Sequence, residues 1–305
     1  MKFVVTGAAG FVGSHLAEAL NARGDEVVCV DCFTDYYDVA LKEDNAHDLD
    51  VQRIDLAETD LDLAGVDGVF HLAAQPGVRS FGDVFDEYVR RTLVVSRRVF
   101  ETAAGAGVRV VFASSSSVYG DAESYPTAED ATPRPISPYG VTKHGCEELA
   151  RAYAQSFALD VVVLRYFTFY GPRQRPDMAF ARMVDSLAHE RPFELYGDGL
   201  QSRAFTYVAD GVEATIAAME RAPTGMVYNV GGGAEATMLS AIETLERVAG
   251  RDLDVVMLPA AKGDVRRTAP ATDRIERDLG WRATTSLEDG LSAQWEWAVS
   301  RVAAR

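Results

Sequence analysis

Short apolar runs alternating with stretches of helical periodicity organise the first half of the chain. Lys2 to Thr6 reads as a buried strand, Phe11 to Arg23 carries apolar residues at helical spacing and stops at Gly24, and Glu26 to Asp31 reads as a second strand. Further buried-strand runs at Gly68 to Leu72, Val108 to Ala113 and Asp160 to Leu164 alternate with helical stretches near 83–105 and 137–158. This alternation predicts the α/β class, with a doubly wound parallel sheet of the Rossmann type. Beyond about residue 168 the pattern changes to loops, short strands and short helices, including Phe193 to Gly199 and the turn Gly231-Gly232-Gly233. We therefore expect a dinucleotide-binding domain over 1–167 and a smaller α/β substrate lobe over 168–305, some segments of which return to the first domain. With no repeat, low-complexity tract or flexible linker between them, the two parts are expected to pack as one unit.

Composition narrows the function classes. At 305 residues and 48% hydrophobic, the chain can bury a large core. It has no run of eighteen apolar residues, and it opens into a strand pattern rather than a basic, apolar leader, so a soluble, cytoplasmic protein is expected. A formal charge of -16 argues against nucleic-acid and membrane-surface partners, which require a basic face. Lysine occurs only at 2, 42, 143 and 262, so 26 of the 30 basic residues are arginine, a bias that suits a GC-rich genome or a salty cytoplasm. Cys29-x-x-Cys32 has no second Cys/His pair to complete a metal site, and the three cysteines are read as structural thiols.

The candidate chemistry lies at the strand ends. Gly7-x-x-Gly10-x-x-Gly13 falls between the first strand and the first helix, where glycines admit a pyrophosphate to the backbone and the helix N-terminus faces its charge. A glycine triplet can also be a plain tight turn, but Asp31 ends the second strand eighteen residues after Gly13, where a carboxylate can accept from both ribose hydroxyls. The same charge repels a 2'-phosphate and favours NAD over NADP. Asp55-Leu56 and His71-Leu72-Ala73-Ala74 follow the third and fourth strands, with His71 read as a buried, hydrogen-bonded histidine rather than a catalyst.

Tyr139-x-x-x-Lys143 places a phenol and an ammonium on one helix face. The ammonium is expected to lower the phenol and make it a base near neutral pH. A serine loop, Ser114-Ser115-Ser116-Ser117-Val118-Tyr119-Gly120, emerges at the same sheet edge, and spacing alone does not rank its serines.

Taken together, Thr6 to Gly13, Asp31, Asp55, His71 to Ala74, the serine run and Tyr139-x-x-x-Lys143 resemble the extended short-chain dehydrogenase/reductases, in the right order over nearly the whole chain. Within them the chain is similar to UDP-glucuronate 4-epimerases through Asp35-Tyr36-Tyr37-Asp38, Ala113 to Gly120, Ser137 to Lys143 and Phe167 to Met178. The resemblance implies Ser115, Tyr139 and Lys143 as the catalytic set. It implies Gly7, Gly10, Phe11, Val12, Gly13, Asp31, Asp55, Leu56, Leu72, Ala73, Ala74, Gln75, Ser114, Tyr139, Lys143 and Tyr166 as cofactor contacts. For the substrate it implies Ser115, Ser116, Ser117, Thr168 and Arg175 at the sugar, Tyr196 near the uridine, and Arg203 and Arg266 at the diphosphate. A homodimer through a four-helix bundle is implied as well. Two positions depart from the pattern: Thr92, where relatives carry asparagine, and Ala204, where they carry aspartate.

The expected reaction is C4 epimerisation of UDP-glucuronate through a transient 4-keto sugar. Dehydrating relatives place an Asp-Glu pair after the catalytic hydroxyl residue and decarboxylating ones a glutamate two positions after it. Here Ser116 and Ser117 stand there, and a serine is a poor general acid. A 4-keto uronate loses carbon dioxide if its carboxylate bond aligns with the carbonyl, so the carboxylate must be pinned, a role for Arg175 helped by Thr168 and Ser116 or Ser117. The alternatives are a UDP-glucose/UDP-galactose 4-epimerase and, from another class, a non-catalytic NAD-binding sensor.

Overall fold

The computed structural model describes residues 1–78, 82–233, 235–260 and 265–303. Its strands are β1 (Lys2–Thr6), β2 (Glu26–Asp31), β3 (Val51–Arg53), β4 (Gly68–His71), β5 (Arg109–Ser115), β6 (Val161–Tyr166), β7 (Thr168–Tyr170), β8 (Phe193–Tyr196), β9 (Ser202–Tyr207), β10 (Val227–Val230), β11 (Glu235–Thr237), β12 (Val255–Leu258) and β13 (Arg267–Thr268). Seven form one sheet in the order β10-β6-β5-β4-β1-β2-β3, with all six pairings parallel. The order reverses between β1 and β4, which opens a crevice at the carboxyl ends of the central strands.

The helices are α1 (Phe11–Ala22), α2 (Val39–Asn45), α3 (Phe85–Tyr88), α4 (Val95–Ala106), α5 (Pro138–Phe157), α6 (Ala179–Ala188), α7 (Val208–Arg221), α8 (Met238–Ala249), α9 (Asp273–Leu279) and α10 (Leu287–Ala303). The helical stretch expected near 83–105 is not uniform: a π-helical turn, Val89–Val94, joins α3 to α4. Helix α5 starts cleanly because the Ser137 hydroxyl accepts from the Gly140 amide at 3.1 Å and Pro138 occupies the first turn.

Both faces of the sheet are covered, and the strand period of two sorts its residues. Phe3, Val5, Val111, Val162 and Leu164 pack toward α1 and α7, whereas Val4, Val110, Phe112, Val161 and Val163 pack toward α4 and α5. The second half of the chain is shared between two cores. Its α7, β10 and α9 join the first core, while Phe180, Met183, Phe193, Leu195, Phe205, Ile242 and Leu291 form a separate one under the smaller sheets. Among the described residues no helix is long and apolar enough to cross a membrane.

Candidate active site

The loop after β1 is shaped by close approach. Gly7 has φ +73°, and a Cβ on it would sit 2.9 Å from the Ala73 amide nitrogen; a Cβ on Gly13 would sit 2.1 Å from the Gly7 carbonyl oxygen. No larger residue fits either position without moving backbone. Asp31 braces the same turn, its carboxylate accepting from the Ala9 amide at 3.1 Å and the Phe33 amide at 2.7 Å. Behind the loop, the Thr6 hydroxyl accepts from the Leu72 and Ala73 amides, so its own proton goes to His71 Nδ1 at 2.8 Å, and His71 Nε2 donates to Ser96 at 3.0 Å. Burial lowers the His71 pKa to about 3. It is a neutral strut, as its sequence context suggested.

One cleft at the crevice collects most of the expected residues. Gly7, Gly10, Phe11, Val12, Gly13, Asp31, Asp55, Leu56, Leu72, Ala73, Ala74, Ser114, Tyr139, Lys143 and Tyr166 line it, together with Ser115, Ser116, Ser117, Thr168 and Arg175. Gln75 does not; it is buried, with its backbone N–H donating to the Thr92 hydroxyl at 3.1 Å. Tyr196, Arg203 and Arg266 also stand elsewhere. Tyr196 lies beneath the Arg182 guanidinium, Arg203 donates to the Val265 carbonyl at 2.7 Å, and Arg266 pairs with Asp198 at 2.9 Å.

The glycine cradle, the Asp31 carboxylate and the strand-end walls of one cleft suit a dinucleotide lacking a 2'-phosphate. Tyr37, Lys42 and Arg91 also line the cleft, and none of the three was among the site residues expected from the sequence. Lys42 is buried, with its ammonium 2.7 Å from the Thr34 carbonyl and 2.8 Å from its hydroxyl. A lysine kept in a chain that otherwise uses arginine was the available signal.

The structure ranks the serines that spacing could not. The Ser114 hydroxyl turns away from the cleft to donate to Glu147. Ser115 stands beside the Tyr139 phenol, and its hydroxyl donates to the Ser117 hydroxyl and accepts from the Ser117 amide, each at 3.1 Å. Lys143 donates to the Ala113 carbonyl at 2.6 Å, and its nitrogen lies 6.0 Å from the centre of the Tyr139 ring.

One expectation needs correcting. Burial raises the Tyr139 phenol above its ordinary value, opposed by the positive charge of Arg175 and by the neighbouring Ser115 hydroxyl, and Lys143 is not among the groups that act on it. The ammonium acts at a greater distance than i, i+4 spacing suggests because it is drawn down to Ala113. Burial also lowers Lys143 itself, to about 8. Arg175 is held side-on by Asp177, its Nε and Nη2 each 3.0 Å from a carboxylate oxygen, which leaves its other guanidinium donors available.

The departures from the family pattern are both absorbed. Thr92 lies in the π-turn, fully buried, and its carbonyl accepts from the Cys146 thiol at 3.6 Å. Ala204 is a buried residue of β9 opposite Glu235.

Comparison with known proteins agrees with this geometry. The chain is 38% identical to the uncharacterized UDP-glucose epimerase YtcB of Bacillus subtilis, over 96% of each chain. It is 37% identical to a probable UDP-glucuronate 4-epimerase of Rhizobium meliloti, covering 97% of this chain and 96% of that one. Among solved structures, the UDP-glucuronic acid 4-epimerase from Bacillus cereus in complex with UDP-glucuronic acid and NAD superposes with a TM-score of 0.95 at 39% identity, over 99% of this chain and all of that one. The model of the NAD dependent epimerase/dehydratase family matches residues 3–231, and this chain belongs to that family.

Proposed function

We propose that this protein is an NAD-dependent enzyme that inverts carbon 4 of UDP-glucuronate to give UDP-galacturonate. Residues 1–167 hold the dinucleotide, and the lobe over 168–305 receives the nucleotide sugar, with Tyr196, Arg203 and Arg266 toward its UDP end. The observation that carries the reading is the presence of Arg175 in the same cleft as the Ser115–Tyr139 pair. NAD, held by the glycine loop, Asp31 and the strand-end residues, supplies the acceptor and donor of hydride at carbon 4.

The chain's own groups do the rest. Tyr139 takes the proton of the 4-hydroxyl at its phenol oxygen and returns it after the sugar turns over, while Ser115 holds that sugar oxygen in line. The Arg175 guanidinium stabilises the phenolate. Arg175, with its free donors, grips the carboxylate, and Thr168, Ser116 and Ser117 fix its plane away from alignment with the ketone, so carbon dioxide is retained.

A second reading, epimerisation of neutral UDP-glucose, is favoured by the pairing of Arg175 with Asp177, which leaves little net charge to exclude a neutral carbon 6. Incubating the purified protein with each sugar nucleotide, without added NAD, and identifying products by NMR separates the two. UDP-galacturonate in large excess over UDP-galactose is expected; the reverse preference supports the second reading, and no product from either overturns both.

We further propose a homodimer built on α4 and α5, supported by the exposure of Val141 and Phe157 on α5. A monomeric mass in solution at micromolar concentration contradicts it. A cytoplasmic setting goes with this reading and suits the three free cysteines.

A further inference from the structure

Behind the proton-transfer pair lies a charged network that the reaction as described leaves unused. Tyr139, Lys143 and Glu147 stand one turn apart on a single face of α5, and they grip three consecutive residues of β5. Tyr139 meets Ser115, Lys143 donates to the Ala113 carbonyl, and Glu147 accepts from the Ser114 hydroxyl. Arg165 from β6 holds Glu147 from behind through two bonds, Nε to Oε1 at 3.0 Å and Nη2 to Oε2 at 2.7 Å. Both side chains are nearly sealed, at 7% and 6% exposure. Arg165 also donates to the Tyr119 hydroxyl at 2.8 Å and the Glu129 carbonyl at 3.0 Å. A buried ion pair contributes little stability over well-packed apolar residues, so stability alone does not explain this one.

The groups facing Lys143 can be named element by element. Its own helix presents Tyr139, Cys146 and Glu147, with His144 beside Glu147; β4 presents the neutral His71; β5 presents the Phe112 ring and the Ala113 carbonyl. Ser96 of α4 and Thr92 of the π-turn close one side, Arg165 lies beyond Glu147, and Arg175 bears on Tyr139. Among the described residues, Glu147 is the one carboxylate that acts on Lys143.

We infer that Glu147 is a positioning residue of the reaction: backed by Arg165, it locks the strand end that carries Ser115 and places a negative charge one helical turn from the Lys143 ammonium. This rests on the reading of Tyr139 and Lys143 as the proton-transfer pair. Burial disfavours the ammonium and outweighs the opposing effects of Cys146 and then Glu147, leaving its pKa at about 8. Neutralising Glu147 therefore lowers the Lys143 midpoint further, because it removes the anion and leaves the Arg165 cation. Neutralising Arg165 raises it, because Glu147 then acts unopposed. Either change breaks the same ion pair, so a purely structural role would affect both variants alike.

With only four lysines in the chain, carbon-13 labelling at lysine Cε gives the holoenzyme four signals, and the spectrum of Lys143→Met identifies the one that matters. In Glu147→Gln its titration midpoint is expected to fall by about one pH unit, and in Arg165→Gln to rise by a similar amount. The alkaline limb of kcat for UDP-glucuronate should move with it at nearly constant KM, and Glu147→Asp should restore both. Midpoints that stay fixed, or that move the same way in the two variants, overturn the inference. Should Glu147→Gln not fold, Ser114→Ala keeps the ion pair and tests the strand lock directly: kcat about tenfold lower with KM and the Lys143 midpoint unchanged supports it, and an unchanged kcat overturns it. If the midpoints shift in opposite directions while Tyr139→Phe keeps its turnover, the reading of the reaction fails and the electrostatic link stands, so the two failures are distinguishable.

Discussion

At the glycine end of the cleft the work is done by backbone and by side chains with nowhere else to go: Gly7 and Gly13 have no room for a Cβ, and Asp31 is tied to two amides. At the end proposed for the sugar nucleotide, in the cleft and beyond it, the residues in question are long side chains that already have protein partners. Arg175 is paired with Asp177, Arg266 with Asp198, and Arg203 donates to carbonyls. The first end is preorganised by sterics and the second by exchangeable ion pairs, so perturbing the two ends should produce different kinds of failure.

The largest effect is expected where the two ends meet. Tyr139→Phe removes the proton-carrying group and should lower kcat for UDP-glucuronate by about 10²–10⁴-fold, with melting temperature and NAD content close to those of the parent. Next comes Gly13→Ala, whose methyl meets the Gly7 carbonyl oxygen. Forcing it in should cost about 3 kcal/mol, seen as a lower melting temperature together with loss of retained NAD, since the cradle itself must shift. Unchanged NAD content would show that the glycine end is more yielding than its geometry implies.

At the sugar end, Arg175→Ala should raise KM for UDP-glucuronate roughly thirtyfold, from about 2 kcal/mol of charge-assisted hydrogen bonding, and leave KM for UDP-glucose nearly unchanged. Equal effects on both would remove the carboxylate clamp from the description. The smallest effect belongs to Arg266→Ala. Its pair with Asp198 is largely exposed and screened by solvent, so stability and NAD content should not change measurably. Any change should be a few-fold rise in KM shared by both sugar nucleotides.

The same division explains what could be read from the chain. The first domain was legible because its strands are buried on both faces and its glycine spacing is a backbone requirement; β2 (Glu26–Asp31) and α5 (Pro138–Phe157) lie where periodicity and caps put them. The π-turn at Val89–Val94 was not legible, because no residue type marks it and tertiary packing around Thr92 decides it. That some later segments return to the first domain was expected, but not that they are α7 and β10, since a short apolar run does not reveal which core it joins.

In the site, spacing gave Tyr139 and Lys143 one helix face but not the direction of the Lys143 side chain, which reaches Ala113 instead of the phenol. The serine loop was ambiguous until Glu147, thirty-three residues from Ser114, claimed one of its hydroxyls. Arg175 was legible through resemblance alone, and its partner Asp177 only through coordinates.

The central claim is that carbon 4 is oxidised and reduced again within one closed site, the same hydrogen leaving and returning. UDP-glucuronate carrying deuterium at carbon 4 tests it in ordinary water with no added NAD. Product UDP-galacturonate that keeps its deuterium at carbon 4 is the expected result, and product in which that position has exchanged with solvent would contradict it.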